Sequence, residues 1–248
     1  MKRFLLWCLL SALGVAQPRY LAVLCYHQIH TQADTEMVTT PARFREQLDF
    51  LQQQGYQTVT LAEARAFVCG KSKIARPLLI TFDDGYDGVY RYAYPELKKH
   101  KMRAVVFLVV SQVDRLKPTA HLTRPQLREM ADSGVFEFGS HTYDLHVPIP
   151  ERHQAGLVSA AGIRRDLIRS REVLQGWLNR PVRALAWPYG HYDDACLKLA
   201  QQSGFQLVFT TDYGYNLPGC GPWRICRIRL SSVFDTVEVL RSKLATGG

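Results

Sequence analysis

The stretch Pro77-Leu78-Leu79-Ile80-Thr81-Phe82-Asp83-Asp84-Gly85-Tyr86 constrains this chain more than any other. Leu78 to Thr81 is an apolar, β-favouring run without polar alternation. That is the pattern of a strand covered on both faces, as a parallel sheet requires. Two adjacent carboxylates and a turn-forming glycine stand at its C-terminal end. In α/β folds, ligands bind at the C-terminal ends of parallel strands. Neighbouring residues on a strand point opposite ways, so Asp83 and Asp84 are expected to take different tasks, one holding a metal and one facing a substrate. The simpler alternative is an Asp-Asp-Gly surface turn. A second motif weighs against it: Ser140-His141-Thr142-Tyr143-Asp144-Leu145-His146 also follows a predicted strand.

Strand and helix patterns alternate along nearly all of the 248 residues. Besides the Asp-Asp strand, strands are expected at 20–26, 57–61, 104–110, 135–139, 184–187, 206–210 and 227–230. Helices are expected from Thr40-Pro41 to Gly55, then up to Val68, from Thr123 to Gly134, and along Ile163, Leu167, Leu174 and Leu178. Two more are expected before Gly204 and over Val237, Leu240 and Leu244. The helical stretch after Gly85 is expected to break at Pro95, and residues 147–162 to form a loop beside the site. This alternation predicts an α/β fold, a (β/α) barrel of about seven or eight units in a single domain.

Lys2 and Arg3 followed by the apolar run Phe4 to Ala16 read as a cleaved signal peptide over residues 1–16. The run holds 13 residues, against about 20 for a membrane span. The expected protein is therefore secreted or periplasmic, with one domain over 17–248 and no appended glycan-hydrolase or binding domain. The formal charge of +9 favours an anionic cell envelope or a polyanion, and no nucleic-acid motif accompanies it. Five cysteines follow the signal segment, Cys25, Cys69, Cys196, Cys220 and Cys226, so they cannot all pair internally. Cys220 and Cys226 are close enough in sequence for a small disulfide loop, which geometry must decide.

One carboxylate from the first motif and the imidazoles of His141 and His146 make a two-His, one-carboxylate metal site with open positions. The histidines are five residues apart, so a loop must bring them together. His100, His121, His153 and His191 are expected in solvated or ordinary structural places. Thr81-Phe82-Asp83-Asp84-Gly85, Ser140-His141-Thr142 with His146, and Trp187-Pro188-Tyr189-Gly190 resemble, in order, the NodB-like polysaccharide deacetylases of carbohydrate esterase family 4. Leu24-Cys25-Tyr26-His27-Gln28-Ile29 and the His-Thr-Tyr-Asp-Leu-His form of the second motif are similar to the branch that N-deacetylates poly-β-1,6-N-acetylglucosamine.

The resemblance implies a distorted barrel and a divalent metal held by Asp84, His141 and His146. Zinc comes first, with nickel, cobalt or iron also suited to these donors. It implies Asp83 as the general base for a metal-held water, the backbone N–H of Tyr189 at the oxyanion hole, and a substrate rich in N-acetylglucosamine. Two positions depart from the family pattern. The arginine that orients the base is replaced by Ala186, with Arg183 nearby in sequence, and the C-terminal histidine acid is absent around Ile228-Arg229-Leu230-Ser231. The biofilm branch implies that the acid is displaced to His27. The alternatives are a chitin-oligomer or peptidoglycan deacetylase, and a glycan-binding barrel without turnover.

Overall fold

The computed structural model describes residues 19–245 apart from 33–34, 155 and 231–234. The expected signal segment lies outside them. Ten strands follow in order: β1 (Ala22–Tyr26), β2 (Gln28–Ile29), β3 (Val38–Thr39), β4 (Gln57–Thr58), β5 (Pro77–Phe82), β6 (Ala104–Leu108), β7 (Phe136–Ser140), β8 (Ala184–Ala186), β9 (Leu207–Phe209) and β10 (Ile228–Arg229). Eight of them form one sheet in the order β10-β1-β5-β6-β7-β8-β9, with β4 beside β5. Its pairings are all parallel. The segment before β10 also bridges the other edge, Phe209 to Ile225 in parallel, and the Ile225 N–H donates to the Val208 carbonyl at 2.9 Å. One short stretch therefore touches both ends of the sheet and curls it into a distorted (β/α) barrel.

Period-two alternation sorts the strand residues into two layers. Leu21, Val23, Leu79, Val105, Phe107, Ala184, Ala186, Phe209 and Ile225 meet inside the barrel. Leu24, Tyr26, Ile80, Phe82, Val106 and Leu108 face outward onto Phe44, Leu48, Leu97 and Leu127 of the surrounding helices. Leu185, Trp187 and Val208 do the same against Ile163, Leu167 and Leu197. Gly139 belongs to the inner series of β7. A Cβ there would lie 2.5 Å from the Phe107 ring, so the aromatic fills the space that a side chain would need. Burying such a ring contributes about 1.5–3 kcal/mol.

Helices form where their caps and apolar faces predict. Thr40 caps Pro41–Gln53 by accepting from the Arg43 N–H, and Thr60 with Glu63 makes a reciprocal cap on Leu61–Val68. Three expectations are corrected. The strand at 57–61 is only two residues long, because Thr60 already caps the next helix. Pro95 breaks nothing: a π-helical turn, Val89–Ala93, runs directly into Tyr94–His100, whose first turn holds Pro95 where no N–H is needed. The stretch 147–162 contains a helix, Ile149–Gln154, too short to show a period.

Candidate active site

The strand ends of the barrel carry the candidate residues at one mouth. The inward series of β1 runs Leu21, Val23, Cys25 and on to His27, and that of β5 runs Leu79, Thr81 and Asp83. Ile225 is followed two residues later by Arg227. Asp83 and Arg227 are both buried and share a bidentate ion pair, Nη1 to Oδ1 and Nη2 to Oδ2, each 2.8 Å. Arg227 also donates through Nε to the Thr210 carbonyl at 2.6 Å. The Cys25 thiol lies 3.6 Å from Asp83 Oδ2 as a weak donor. Cys25, His27 and Asp83 each offer an atom within 4.8 Å of the others. The His27 Nδ1 is buried and has no hydrogen-bond partner among the described residues.

Asp84 lies beyond the end of β5 with φ 68°, a left-handed backbone uncommon outside glycine. That turn, and not strand alternation alone, sets its side chain apart from Asp83. Its Oδ1 stands 3.6 Å from His141 Nε2 and 3.2 Å from His146 Nε2. Asp84, His141 and His146 all bring donor atoms within 4.8 Å of one another. His141 continues the inner series of β7 past Gly139. His146 is reached by a loop with another left-handed residue, Thr142 (φ 73°). Asp166, on the helix Ala160–Leu178, holds that loop by accepting from the N–H groups of Tyr143 at 2.7 Å and Asp144 at 2.9 Å. Ser111 pins it from the other side, donating through Oγ to Asp144 and through N–H to the Tyr143 carbonyl.

Tyr189 occupies a tight turn, Pro188–Gly190, with φ 57°. Its N–H finds no acceptor among the described residues, and its ring stands 4.9 Å from that of His146. A cavity of about 270 Å³ opens over Asp84 and His146, walled by Tyr86, Gln112, Arg115 and His121. Across Pro118 and Thr119 it adjoins a second cavity of about 390 Å³ bordered by His30, Asp87 and Tyr92.

The polysaccharide deacetylase family profile matches residues 70–208, which contain both motifs of this mouth. The poly-β-1,6-N-acetyl-D-glucosamine N-deacetylase of Staphylococcus epidermidis is 31% identical over 207 residues, 81% of this chain and 70% of that protein. Among solved structures, IcaB from Ammonifex degensii superposes with a TM-score of 0.80 at 31% identity, covering 92% of this chain and 97% of that one. Streptococcus pyogenes deacetylase PplD, solved with acetate, gives 0.80 at 26% identity, covering 92% and 99%. This chain belongs to the polysaccharide deacetylase family.

The electrostatics of this polysaccharide deacetylase separate its two aspartates. Burial opposes ionisation of Asp83, but the Arg227 guanidinium and the nearby imidazoles outweigh it and hold the carboxyl well below its usual range. Burial likewise opposes ionisation of Asp84, and His146 and His141 bring its pKa down. Burial lowers the proton affinity of His141, and its Nδ1 lies 2.8 Å from the Ala186 carbonyl. That carbonyl can only accept, so Nδ1 carries the proton and Nε2 turns a lone pair towards Asp84. Two imidazole nitrogens and a carboxylate oxygen without a hydrogen-bond partner thus converge on one point. Roughly 3.0–3.5 Å between donors is what metal–ligand bonds of about 2.0–2.2 Å produce, so these residues fit a small divalent cation.

Sequence reasoning missed Arg227, the cation that orients Asp83. Arg183 is exposed at the opposite end of the barrel, where its carbonyl accepts from Gln206 and Leu207, and does not reach the site. Arg227 follows Ile225 at the inward spacing of two, but β10 is too short for that period to be read. Asp166 was also missed, although it adjoins the apolar stripe of Ile163 and Leu167. His121, expected in an ordinary structural place, is buried against Tyr86 on the cavity wall. His100 is buried away from the site, bonded to Asp49 and the Glu96 carbonyl. His153 and His191 face Val158 and Glu151.

Proposed function

We propose that this polysaccharide deacetylase hydrolyses the N-acetyl groups of N-acetylglucosamine residues in an extracellular poly-β-1,6-linked polysaccharide, releasing acetate and leaving free amines. One observation carries the reading: a three-donor cation site adjoins a buried, ionised, arginine-held carboxylate in the same barrel mouth. The relatives named as poly-β-1,6-N-acetyl-D-glucosamine N-deacetylases support the choice of glycan. The two adjoining cavities support a chain substrate over a single sugar.

Asp84, His141 and His146 would hold the divalent cation, zinc first. When bound, that cation supplies Lewis-acid polarisation of the acetamide carbonyl and a lowered water pKa. Asp83 accepts the proton of the attacking water; its low pKa keeps it ionised, as a base must be. Arg227 fixes the carboxylate plane by its two parallel hydrogen bonds. The unpaired Tyr189 N–H donates to the oxyanion that forms as water adds to the carbonyl carbon. His27 delivers a proton to the departing nitrogen as the C–N bond breaks. Burial lowers its pKa, which makes its imidazolium a stronger acid than free histidine. Export to the periplasm or cell exterior is part of the same reading, supported by Lys2, Arg3 and the apolar run after them.

Acetate release by metal-loaded protein tests the reading on poly-β-1,6-N-acetylglucosamine, chitin oligomers and peptidoglycan. The first should be the best substrate. Release from another glycan alone reassigns the substrate, and binding without release from any makes the barrel a glycan-binding module. His27→Ala should depress kcat, keep the metal and remove the alkaline limb of the pH–rate profile, since that limb records loss of the acid's proton.

A further inference from the structure

We propose that Cys69 and Cys220 form a redox-dependent disulfide that staples the barrel's far side. The helix Leu61–Val68 ends at Cys69, and the loop that leads towards Arg227 passes beside it. Two contacts set the register between them. The Gly221 N–H donates to the Val68 carbonyl at 2.9 Å. A Cβ built on Gly70 would lie 3.8 Å from the Gly219 nitrogen. The two segments therefore pass in opposite directions, Val68 beside Gly221 and Gly70 beside Gly219, and the residues left facing each other between these contacts are Cys69 and Cys220. The Val68–Gly221 hydrogen bond and the close approach of Gly70 to Gly219 hold the two backbones together on either side of these residues, as the roughly 4.4–6.8 Å Cα span of a disulfide requires. Burial raises the Cys220 pKa, and the nearby Cys69 thiol adds to the rise.

Both sulfurs are thiols in the structure, with Cys220 exposed and Cys69 half-buried, so an oxidant can reach them. Cys25 and Cys196 are buried and make no such pair. The Cys220–Cys226 loop considered from sequence spacing is not formed. Asn216 fixes the backbone of Cys226, accepting from its N–H at 2.9 Å and donating to its carbonyl at 3.0 Å.

The oxidant is a small-molecule disulfide. The Cys220 thiolate attacks one of its sulfurs, expelling a thiolate and leaving a mixed disulfide. The Cys69 thiolate then attacks the Cys220 sulfur and expels the second thiolate. The protein's two thiols lose two protons and two electrons, and the oxidant's S–S bond is reduced to two thiols. The bond closes a loop of about 150 residues, and cross-links of long loops remove the most freedom from the unfolded chain.

The full chain, incubated with oxidised glutathione and digested without reduction, is to be mapped by mass spectrometry. The expected product is a Cys69–Cys220 linked peptide, with Cys226 still open to alkylation. Cys226→Ser should keep the cross-link, while Cys69→Ser and Cys220→Ser each abolish it. Oxidation should raise Tm by roughly 5–10 °C in wild type and Cys226→Ser alone. Recovery of a Cys220–Cys226 peptide, or of Cys69 and Cys220 as free or glutathione-capped thiols, overturns the pairing. A cross-link that leaves Tm unchanged overturns the stapling.

Discussion

Asp83 is a carboxylate whose whole environment is arranged to keep it charged and still. The guanidinium of Arg227 occupies both its oxygens, and Thr81 and the Thr210 carbonyl complete the arginine's surroundings. Asp83→Asn preserves size but cannot accept a proton, so kcat should fall by roughly 10²–10⁴-fold while metal content stays, as read by activity and elemental analysis. Loss of metal in parallel would exchange the roles of Asp83 and Asp84. Arg227→Met removes the cation that outweighs burial, so the Asp83 pKa rises and the acidic limb of the kcat/KM profile should move up by about 1–3 pH units. The same change leaves a buried charge unpaired and should cost about 3–5 kcal/mol of stability. Arg227→Lys keeps a charge without the planar fork, and should give a smaller shift with a better-folded protein.

Among the elements, the loop from His141 to His146 decides whether the three candidate metal donors meet. Left-handed Thr142 turns the chain back, and the carboxylate of Asp166 collects the N–H groups that the turn leaves over. Burial raises the Asp166 pKa, against the loop's N–H groups that favour its charge. Asp166→Ala should leave the barrel folded but let His146 wander, weakening metal affinity by about 10–100-fold. Isothermal titration of the metal-free protein with zinc measures this directly, and an unchanged affinity would show that the loop is held by Ser111 and its own backbone. A second left-handed turn, at Tyr189, sets its ring 4.9 Å from that of His146 beside the same mouth.

Across the whole molecule, closure of the sheet is what couples these parts. The segment Ile225–Arg229 bonds to β9 on one side and β1 on the other, so the arginine that grips Asp83 also sits in the seam of the barrel. A cation bound only by the folded mouth stabilises the fold by mass action, by about 2.7 kcal/mol at a hundredfold excess over Kd. Chelation should therefore lower Tm by several degrees, and equal melting with and without metal would remove the cation from the native state. The Asp83–Arg227 pair adds a pH signature. Because the folded pKa of Asp83 is depressed, its contribution is present above the unfolded value of about 3.9 and is lost as pH falls through the folded one. Wild type should lose stability below about pH 4 more steeply than Asp83→Asn.

Local chemistry in the chain determined the barrel class and most of the mouth. Continuous apolar runs require covered strands, and carboxylates or imidazoles placed directly after them can only emerge at the strand ends. Asp83, Asp84 and His141 were legible for that reason, and the caps at Thr40 and Thr60 likewise, whereas His27 stood out only through the family resemblance. Tertiary structure alone decided the partners. Arg227 lies 144 residues from Asp83, on a two-residue strand with no readable period, and meets it only because the sheet closes. Cys69 and Cys220 face each other for the same reason: the loop before the seam must pass the end of the helix Leu61–Val68. Sequence spacing offered only Cys226 as a partner for Cys220, and it is the fold that brings the distant Cys69 beside Cys220 as well.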